Sequence, residues 1–308
     1  MWIRLIACAW CALWLAPVLG QTSATTPAAD AAASGAPRGF LWEIRKAGRR
    51  AYLLGTIHVG RPEFHPLRDG IVARLREAAV IAVEADVSEA ARGALRVQEL
   101  AYYGDGVAGL DARAPALRSR LDAFARRQGL SAEVFERMKP WMAANTVVII
   151  EAARAGLSPA YATEAFLFDF ARRNGKALAE IESIDEQLRL FDSAPETTQI
   201  AYLQQALDSI DSGESRDEVT RLLGAWERGD AAEMERLLVR MRSATGVAER
   251  FVVERIIDGR HPRMLEAIER FAASGRLHVI AIGSLHFFGS NGLIAELRRR
   301  GYAVEAVD

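Results

Sequence analysis

Residues 51–58, Ala-Tyr-Leu-Leu-Gly-Thr-Ile-His, form an apolar run that ends in a glycine, two further residues and His58. The same arrangement recurs at residues 279–286, Val-Ile-Ala-Ile-Gly-Ser-Leu-His, which end in His286. Short apolar runs predict buried β-strands, and the glycine allows the chain to turn at the end of each strand. The two stretches therefore predict two strands that each present a histidine just beyond the carboxyl end.

Further strand-like runs surround these two stretches. Residues 40–44 and 51–55 are joined by a basic turn at residues 46–50, which predicts a hairpin. The other predicted strands are residues 79–84, 176–181, 277–283 and 302–307. Strands that alternate with helical stretches predict an α/β fold. We expect residues 38–308 to form one domain with a central mixed sheet flanked by helices.

Helical periodicity dominates the middle of the chain. A helical section of about residues 111–275 is predicted to be inserted between strands of the sheet. The helices predicted within it are residues 115–127, 132–155, 163–173, 197–210, 217–228 and 231–242.

The first 37 residues predict a targeting segment and a linker. Residues 1–20 contain one cation, Arg4, then an apolar run that ends in a proline and small residues, which is the layout of a secretory signal peptide. A retained N-terminal anchor is the alternative. Residues 21–37 are rich in Ala, Thr, Ser and Pro, as in a flexible linker. We expect the protein to be exported, to the periplasm or outside the cell, with no stable membrane anchor after cleavage.

Composition excludes several classes of function. The chain has 39 Lys and Arg residues against 40 Asp and Glu residues, a net charge of −1, so no nucleic-acid partner is expected. Both cysteines, Cys8 and Cys11, lie in the predicted signal peptide. The remaining chain therefore has no disulfide framework, cysteine-ligated zinc or cysteine nucleophile. A reactive site must be built from histidines, carboxylates, hydroxyls or backbone groups.

Acidic residues follow two of the predicted strands. Glu84 and Asp86 follow residues 79–83, and Glu182 follows residues 177–181. Ligand sites of open α/β sheets lie at the carboxyl ends of the strands, where these acids would meet His58 and His286. Imidazole and carboxylate together suit zinc, manganese, cobalt or iron. Such an ion would lower the pKa of a bound water, with a spare carboxylate as general base.

The remaining candidates carry weaker signals. Arg260 lies at a turn and is able to bind a substrate carboxylate or polarise a carbonyl, although a plain salt bridge explains it as well. His65, His261 and His278 do not share the strand-glycine-x-x-histidine frame. They are expected to have structural roles.

These motifs resemble the TraB/PrgY/GumN family, which includes the Tiki metalloproteases and belongs to a superfamily with erythromycin esterases and haem-binding ChaN-like proteins. The matching residues run in family order across about residues 40–307. They are Leu54-Gly55-Thr56-Ile57-His58, Val83-Glu84-Ala85-Asp86, Lys139-Pro140-Trp141-Met142, Ile181-Glu182, Glu186-Gln187-Leu188, Arg260, Gly283-Ser284-Leu285-His286, Gly289 and Gly292-Leu293.

The resemblance implies a metal-dependent hydrolase, with a peptidase favoured. His58, His286 and Glu84 would bind a divalent manganese, cobalt or zinc ion, and Glu84 would be either the third ligand or the general base. Glu182 would be the other acid and Arg260 would contact the substrate, a peptide or a small molecule. Two alternatives stay open: a non-catalytic module of the same fold that binds a peptide or haem, and an esterase for small esters.

Two positions depart from the family pattern. The family often has Arg-Asn where this chain has Arg260-His261, and Gly-x-Asp where it has Ala162-Thr163-Glu164. We expect the second departure to affect substrate recognition more than metal binding. The sequence specifies neither the substrate, nor the metal, nor the oligomeric state.

Overall fold

The computed structural model describes residue 36, residues 38–86 and residues 90–308. The predicted signal peptide, and all of the predicted linker except Ala36, lie outside these residues. Within the described part of the chain, no helix is long and apolar enough to cross a membrane.

Six strands form one mixed sheet. They are β1 (Phe40–Lys46), β2 (Arg49–Thr56), β3 (Val80–Val83), β4 (Ala177–Glu180), β5 (His278–Gly283) and β6 (Ala303–Ala306). Their order is β4-β3-β5-β2-β1-β6. Strand β1 is antiparallel to β2 and β6, whereas β2, β5, β3 and β4 run parallel. The predicted mixed α/β fold is confirmed, and β2 and β5, which carry the repeated motif, are neighbours.

The turn between β1 and β2 is tighter than the predicted residues 46–50. Lys46 pairs with Arg49, which leaves only Ala47 and Gly48 in the turn. Both have positive φ, 50° and 76°. Two central residues with positive φ form the hairpin turn whose twist matches that of the flanking strands.

Helices cover the sheet. They are α1 (Asp69–Glu77), α2 (Ala90–Ala101), α3 (Leu110–Arg113), α4 (Pro115–Arg127), α5 (Pro140–Arg154), α6 (Thr163–Arg173), α7 (Ile184–Asp192), α8 (Glu196–Ser212), α9 (Glu214–Arg228), α10 (Ala231–Ser243), α11 (Val247–Arg250), α12 (His261–Ala273) and α13 (Leu293–Arg299). Helices α2 to α12 lie in sequence between β3 and β5, with β4 among them, which is the predicted helical insertion. Every residue of β3 and β5 is buried, as expected for parallel strands with both faces covered.

The prediction of one helix over residues 132–155 is wrong. The chain forms a 3₁₀-helix at Ala132–Phe135, and α5 begins only at Pro140. Lys139 has an extended backbone, with ψ 154°, because a proline ring disfavours helical geometry in the residue before it. Helices α2 and α7 were not predicted.

Helix α9 is attached to the strand that leads to His58. The indole Nε1–H of Trp226 donates a hydrogen bond of 2.9 Å to the carbonyl oxygen of Gly55. Trp226 is fully buried, so no solvent replaces this bond if it is lost. A buried acceptor without a partner costs about 1–3 kcal/mol.

We therefore expect Trp226→Phe to lower the free energy of unfolding by about 1–3 kcal/mol beyond the loss of ring volume. Trp141→Phe is the matched control, because Trp141 is equally buried but its indole nitrogen has no hydrogen-bond partner among the described residues. Urea unfolding of both variants measures the difference. Equal losses would show that the bond to Gly55 is unimportant.

Candidate active site

The two histidines of the repeated motif leave adjacent strands at the same level. Thr56 of β2 pairs with Gly283 of β5 in the parallel ladder, and Ser284 Oγ donates to the carbonyl oxygen of Thr56 at 2.9 Å. His58 and His286 follow these positions, and both are buried. The duplicated sequence frame thus becomes two neighbouring imidazoles at one edge of the sheet.

The two predicted acids lie beside them. The ladder between β3 and β4 continues past the strands, because the amide nitrogen of Glu182 donates to the carbonyl oxygen of Glu84 at 2.8 Å. Both side chains are buried. Glu84 Oε1 also accepts a hydrogen bond of 2.6 Å from the amide nitrogen of Gly283 on β5. Four strand ends therefore bring His58, His286, Glu84 and Glu182 together.

Arg260 reaches these acids from an irregular helical segment. Helix α11 continues as a π-helix at Phe251–Ile257 and a 3₁₀ turn at Asp258–Arg260 before α12 begins. The guanidinium is buried and donates to Glu182 Oε2 from Nη2 at 2.7 Å and from Nε at 3.0 Å. Nη2 also contacts Glu84 Oε2 closely. Of the two interpretations left open for Arg260, the structure shows the salt bridge.

The charges in this cluster stabilise one another. Burial alone would raise the pKa of Glu84, but the adjacent Arg260 guanidinium, together with the Gly283 N–H, lowers that pKa to about 2. Burial opposes the charge of Arg260, but Glu84 and Glu182 outweigh it and raise the arginine pKa. Glu84 is therefore ionised and Arg260 charged at any physiological pH.

His286 is held as a neutral ring with a defined proton position. Burial, and then the charge of Arg260, keep its pKa well below the ordinary value for histidine. Arg260 Nη1 lies 3.2 Å from His286 Nε2. Because arginine has donors only, Nε2 accepts this bond and the ring proton lies on Nδ1. That Nδ1–H has no hydrogen-bond partner among the described residues.

His58 faces the same cluster from the other side. A methyl group added at Gly283 would lie 3.1 Å from Glu84 Oε1 and 3.3 Å from His58 Nε2. Both side chains therefore pack tightly against the backbone of Gly283, where a larger residue would be crowded. The other ring nitrogen, Nδ1, lies 3.0 Å from Oε1 of Glu164, at the start of α6. Glu164 thus belongs to this site, although its departure from the family pattern suggested substrate recognition.

The remaining predicted residues lie elsewhere or have other neighbours. Asp86 lines a separate cavity of about 350 Å³ with Arg96 and Asp185. His65 stacks on Phe166, and His278, at the amino end of β5, stacks on Phe271.

His261, for which a structural role is expected, is buried with its ring centroid 5.3 Å from that of His286. Sequence reasoning missed Gln187, whose side-chain amide donates to Glu182 Oε2 at 3.2 Å. The only available signal for Gln187 was its place in a motif shared with the family.

The cluster borders a small cavity of about 30 Å³. His58, His286 and Gly283 form its polar side, and Leu222 and Ile257 lie on its apolar side. This volume holds one or two water molecules.

The match to a family model covers almost the whole described domain. The model of the TraB/PrgY/gumN family matches residues 40–306. The chain belongs to this family. Similar proteins include the uncharacterised protein YbaP of Shigella flexneri and YbaP of Escherichia coli strain K12. Each is 21% identical over 252 residues, covering 81% of this chain and 88% of the relative. No solved structure matches the chain significantly.

Family membership makes a metal site the first chemistry to test against the geometry. In the described residues, no group of three or more His, Cys, Asp or Glu side chains is arranged to hold a metal ion. Glu84 Oε2 and His286 Nε2 both contact Arg260, and Glu84 Oε1 accepts the Gly283 N–H. His58, His286 and Glu84 therefore do not fit a shared metal ion while Arg260 holds this position. Metal binding by these residues stays a prediction.

The lowered pKa of Glu84 predicts a specific loss of stability in acid. A carboxyl group with a lower pKa in the folded than in the unfolded state stabilises the fold above its unfolded pKa, and this contribution disappears as the pH falls through the folded pKa. For Glu84 the loss begins near pH 4.5 and continues towards pH 2. Urea unfolding across this range should show a shallower decline for Glu84→Gln than for the wild type. The same substitution at exposed Glu63 should leave the slope unchanged, and equal slopes for both variants would contradict the expectation.

Proposed function

We propose that this protein is a hydrolase that cleaves an acyl bond, with a peptide as its substrate, at the cluster of His58, His286, Glu84, Glu182 and Arg260. The observation that carries the proposal is that the two imidazoles differ in environment while lining one water-sized cavity. A pair of titratable groups whose surroundings differ can divide the roles of base and hydrogen-bond donor.

His58 is the general base of this proposal. Its Nε2 lies on the side of Gly283 and Glu84, next to the cavity, while Nδ1 faces Glu164. Nε2 takes a proton from a water molecule in the cavity as the water oxygen attacks the carbonyl carbon. The same proton then passes from His58 to the leaving nitrogen or oxygen, so that the ring returns to its starting state.

His286 supplies the hydrogen bond to the carbonyl oxygen. Arg260 occupies its Nε2, so the proton on Nδ1 is the one available to a substrate oxygen. A neutral imidazole that donates to a carbonyl stabilises the negative charge that develops there in the transition state. Glu84 and Glu182 act through Arg260, because they hold the guanidinium in place.

The choice of a peptide rests on the resemblance to the Tiki metalloproteases, since the geometry suits any acyl substrate. We also propose that the protein acts outside the cytoplasm, because residues 1–20 have the layout of a secretory signal peptide.

A second candidate is a metal-dependent hydrolase with manganese, cobalt or zinc at His58, His286 and Glu84. One observation favours it. Glu84, Glu164 and Glu182 are three buried carboxyl groups, and Arg260 is the guanidinium that the described residues place among them. A divalent cation would balance the remaining negative charge, provided that Arg260 leaves Glu84 and His286.

We expect His58→Asn to lower kcat for peptide hydrolysis by about 10²–10⁴-fold, because it removes the general base. His278→Asn is the matched control, since His278 is also buried but lies at the opposite end of β5. The rate of hydrolysis of a peptide library, followed by mass spectrometry, is compared between both variants and the wild type. The comparison is made at a temperature at which thermal unfolding shows all three proteins to be folded. Equal rates in the two variants would contradict the role of His58, and hydrolysis of p-nitrophenyl acetate without peptide cleavage would make the protein an esterase.

Chelation separates the two candidates. We expect the wild type to keep its hydrolytic rate after exhaustive dialysis against EDTA, because no step of the leading proposal uses a metal. Loss of activity that returns with manganese, cobalt or zinc would instead support the second candidate. Elemental analysis should then find the metal in the wild type and in His278→Ala, and not in the His58→Ala/His286→Ala double variant.

A further inference from the structure

The amino ends of the parallel strands form the edge of the sheet opposite the candidate site, and this edge carries exposed cations. Arg49 of β2 and Arg276 before β5 lie at the same end of the sheet, because the residues three positions further along pair in the parallel ladder. Arg76, in the last turn of α1, lies at this end as well, because β3 begins shortly after it beside the start of β5. We call this surface the basic edge, and its exposed members are Lys46, Arg49, Arg50, Arg76, Arg270 and Arg276.

Neighbouring acids do not balance the charge of the basic edge. Among the described residues, no salt bridge joins any of its side chains to a carboxylate. The acids close to it already have arginine partners outside the set. These pairs are Glu43 with Arg45, Glu77 with Arg74, and Glu269 with Arg300.

Helix ends explain only part of this charge. Arg76 and Arg270 lie in the last turns of α1 and α12, where a cation is favoured by the negative end of the helix. Lys46 Nζ donates to the carbonyl oxygen of Arg300, directly after α13, at 2.8 Å. Arg49–Arg50 begin a strand, so no helix dipole accounts for their exposed charges.

The hairpin end of the basic edge borders an open hollow of about 510 Å³. Its charged lining consists of Arg45, Lys46, Arg49 and Arg50, with Glu43 as the acid. Glu43 contacts Arg45 at 2.6 Å, which leaves the charges of the other three cations to a ligand. The hollow therefore suits a phosphate group and the water around it.

We propose that the basic edge binds a membrane surface that contains anionic phospholipids. Its cations extend across β3, β5, β2 and β1, a row of about 14 Å at the usual strand spacing of about 4.8 Å. A flat surface with many phosphates meets all of these cations at once, and each cation near such a surface raises the affinity by about 5-fold.

The attachment is electrostatic. The large apolar side chains that are exposed in the described part of the chain lie outside the basic edge, and they are Leu95, Val107, Val239 and Val247. No apolar group of this kind is available there to enter the lipid, so added salt should release the protein. The net charge of −1 for the whole chain conceals this local excess of positive charge.

Binding in this orientation directs the candidate site away from the membrane. Arg49 and Thr56 are the two ends of β2, about 23 Å apart at about 3.3 Å per residue. A substrate would therefore reach the site from the aqueous side. The attachment itself does not depend on the proposed hydrolysis.

Co-sedimentation of the full chain with lipid vesicles tests the proposal. We expect binding to phosphatidylcholine vesicles that contain phosphatidylglycerol, and much weaker binding when the salt concentration rises from about 50 to about 500 mM. Vesicles of phosphatidylcholine alone measure any binding caused by the apolar residues 1–20. Equal binding to both kinds of vesicle would overturn the proposal. Retention on heparin without binding to anionic vesicles would also overturn it and make an acidic polymer the partner.

Charge removal at two places separates the basic edge from the total charge. Arg49→Gln/Arg76→Gln/Arg276→Gln should lower the partition onto anionic vesicles by about 10²-fold. The matched control removes the same charge from other exposed arginines, which also lack a salt bridge among the described residues, as Arg126→Gln/Arg221→Gln/Arg228→Gln. We expect the control to bind nearly as well as the wild type. Equal losses in the two triple variants, both shown to be folded by circular dichroism, would contradict a specific role of the basic edge.

Discussion

The buried guanidinium of Arg260 holds the carboxyl ends of β3 and β4 against β5, and the geometry of the candidate site depends on it. Two carboxylates brought out of water next to each other repel, and each loses several kcal/mol of hydration. The planar guanidinium of Arg260 compensates both costs, because its N–H groups donate hydrogen bonds to Glu84, Glu182 and the ring of His286 simultaneously. Removal of one partner from such a buried group typically costs about 3–5 kcal/mol, because the others are left without compensation.

Uncharged hydrogen-bond donors also stabilise the buried carboxylates. The Gly283 N–H and the Gln187 amide complete the bonds to Glu84 and Glu182. Glu164 lies apart from Arg260 and faces His58. Arg260 therefore compensates Glu84 and Glu182 directly, whereas the neighbour of Glu164 is an imidazole.

The sequence was most informative about side chains that directly follow a predicted strand. A residue that follows a parallel strand must lie at the carboxyl edge of the sheet, so His58, His286, Glu84 and Glu182 could be placed together without coordinates. Arg260 was singled out from the sequence, but its contacts depend on a π-helix and a 3₁₀ turn that shift the register of the preceding helix. Periodicity does not reveal such a change of winding.

The positions of Glu164 and His261 beside the site could not be inferred from the sequence, for a related reason. Both lie near the start of a helix, and the local pattern does not say which strand end that helix start approaches. The position of Glu164 depends on hydrogen bonds between Ile57 and Thr163, which are far apart in sequence. The break before Pro140, in contrast, was within reach of the sequence, because the proline itself causes it.

The repeated glycine-x-x-histidine frame gives two histidines whose rings have different neighbours. Arg260, which only donates, keeps the proton of His286 on Nδ1 and occupies its Nε2. Glu164 Oε1 lies 3.0 Å from Nδ1 of His58, and Nε2 of His58 lies on the side of Gly283. The two copies also differ in backbone, because β2 continues to Thr56 whereas Ser284–Phe287 form a 3₁₀-helix directly after β5. In the proposed hydrolysis, these different surroundings let His58 act as the base and His286 as the hydrogen-bond donor.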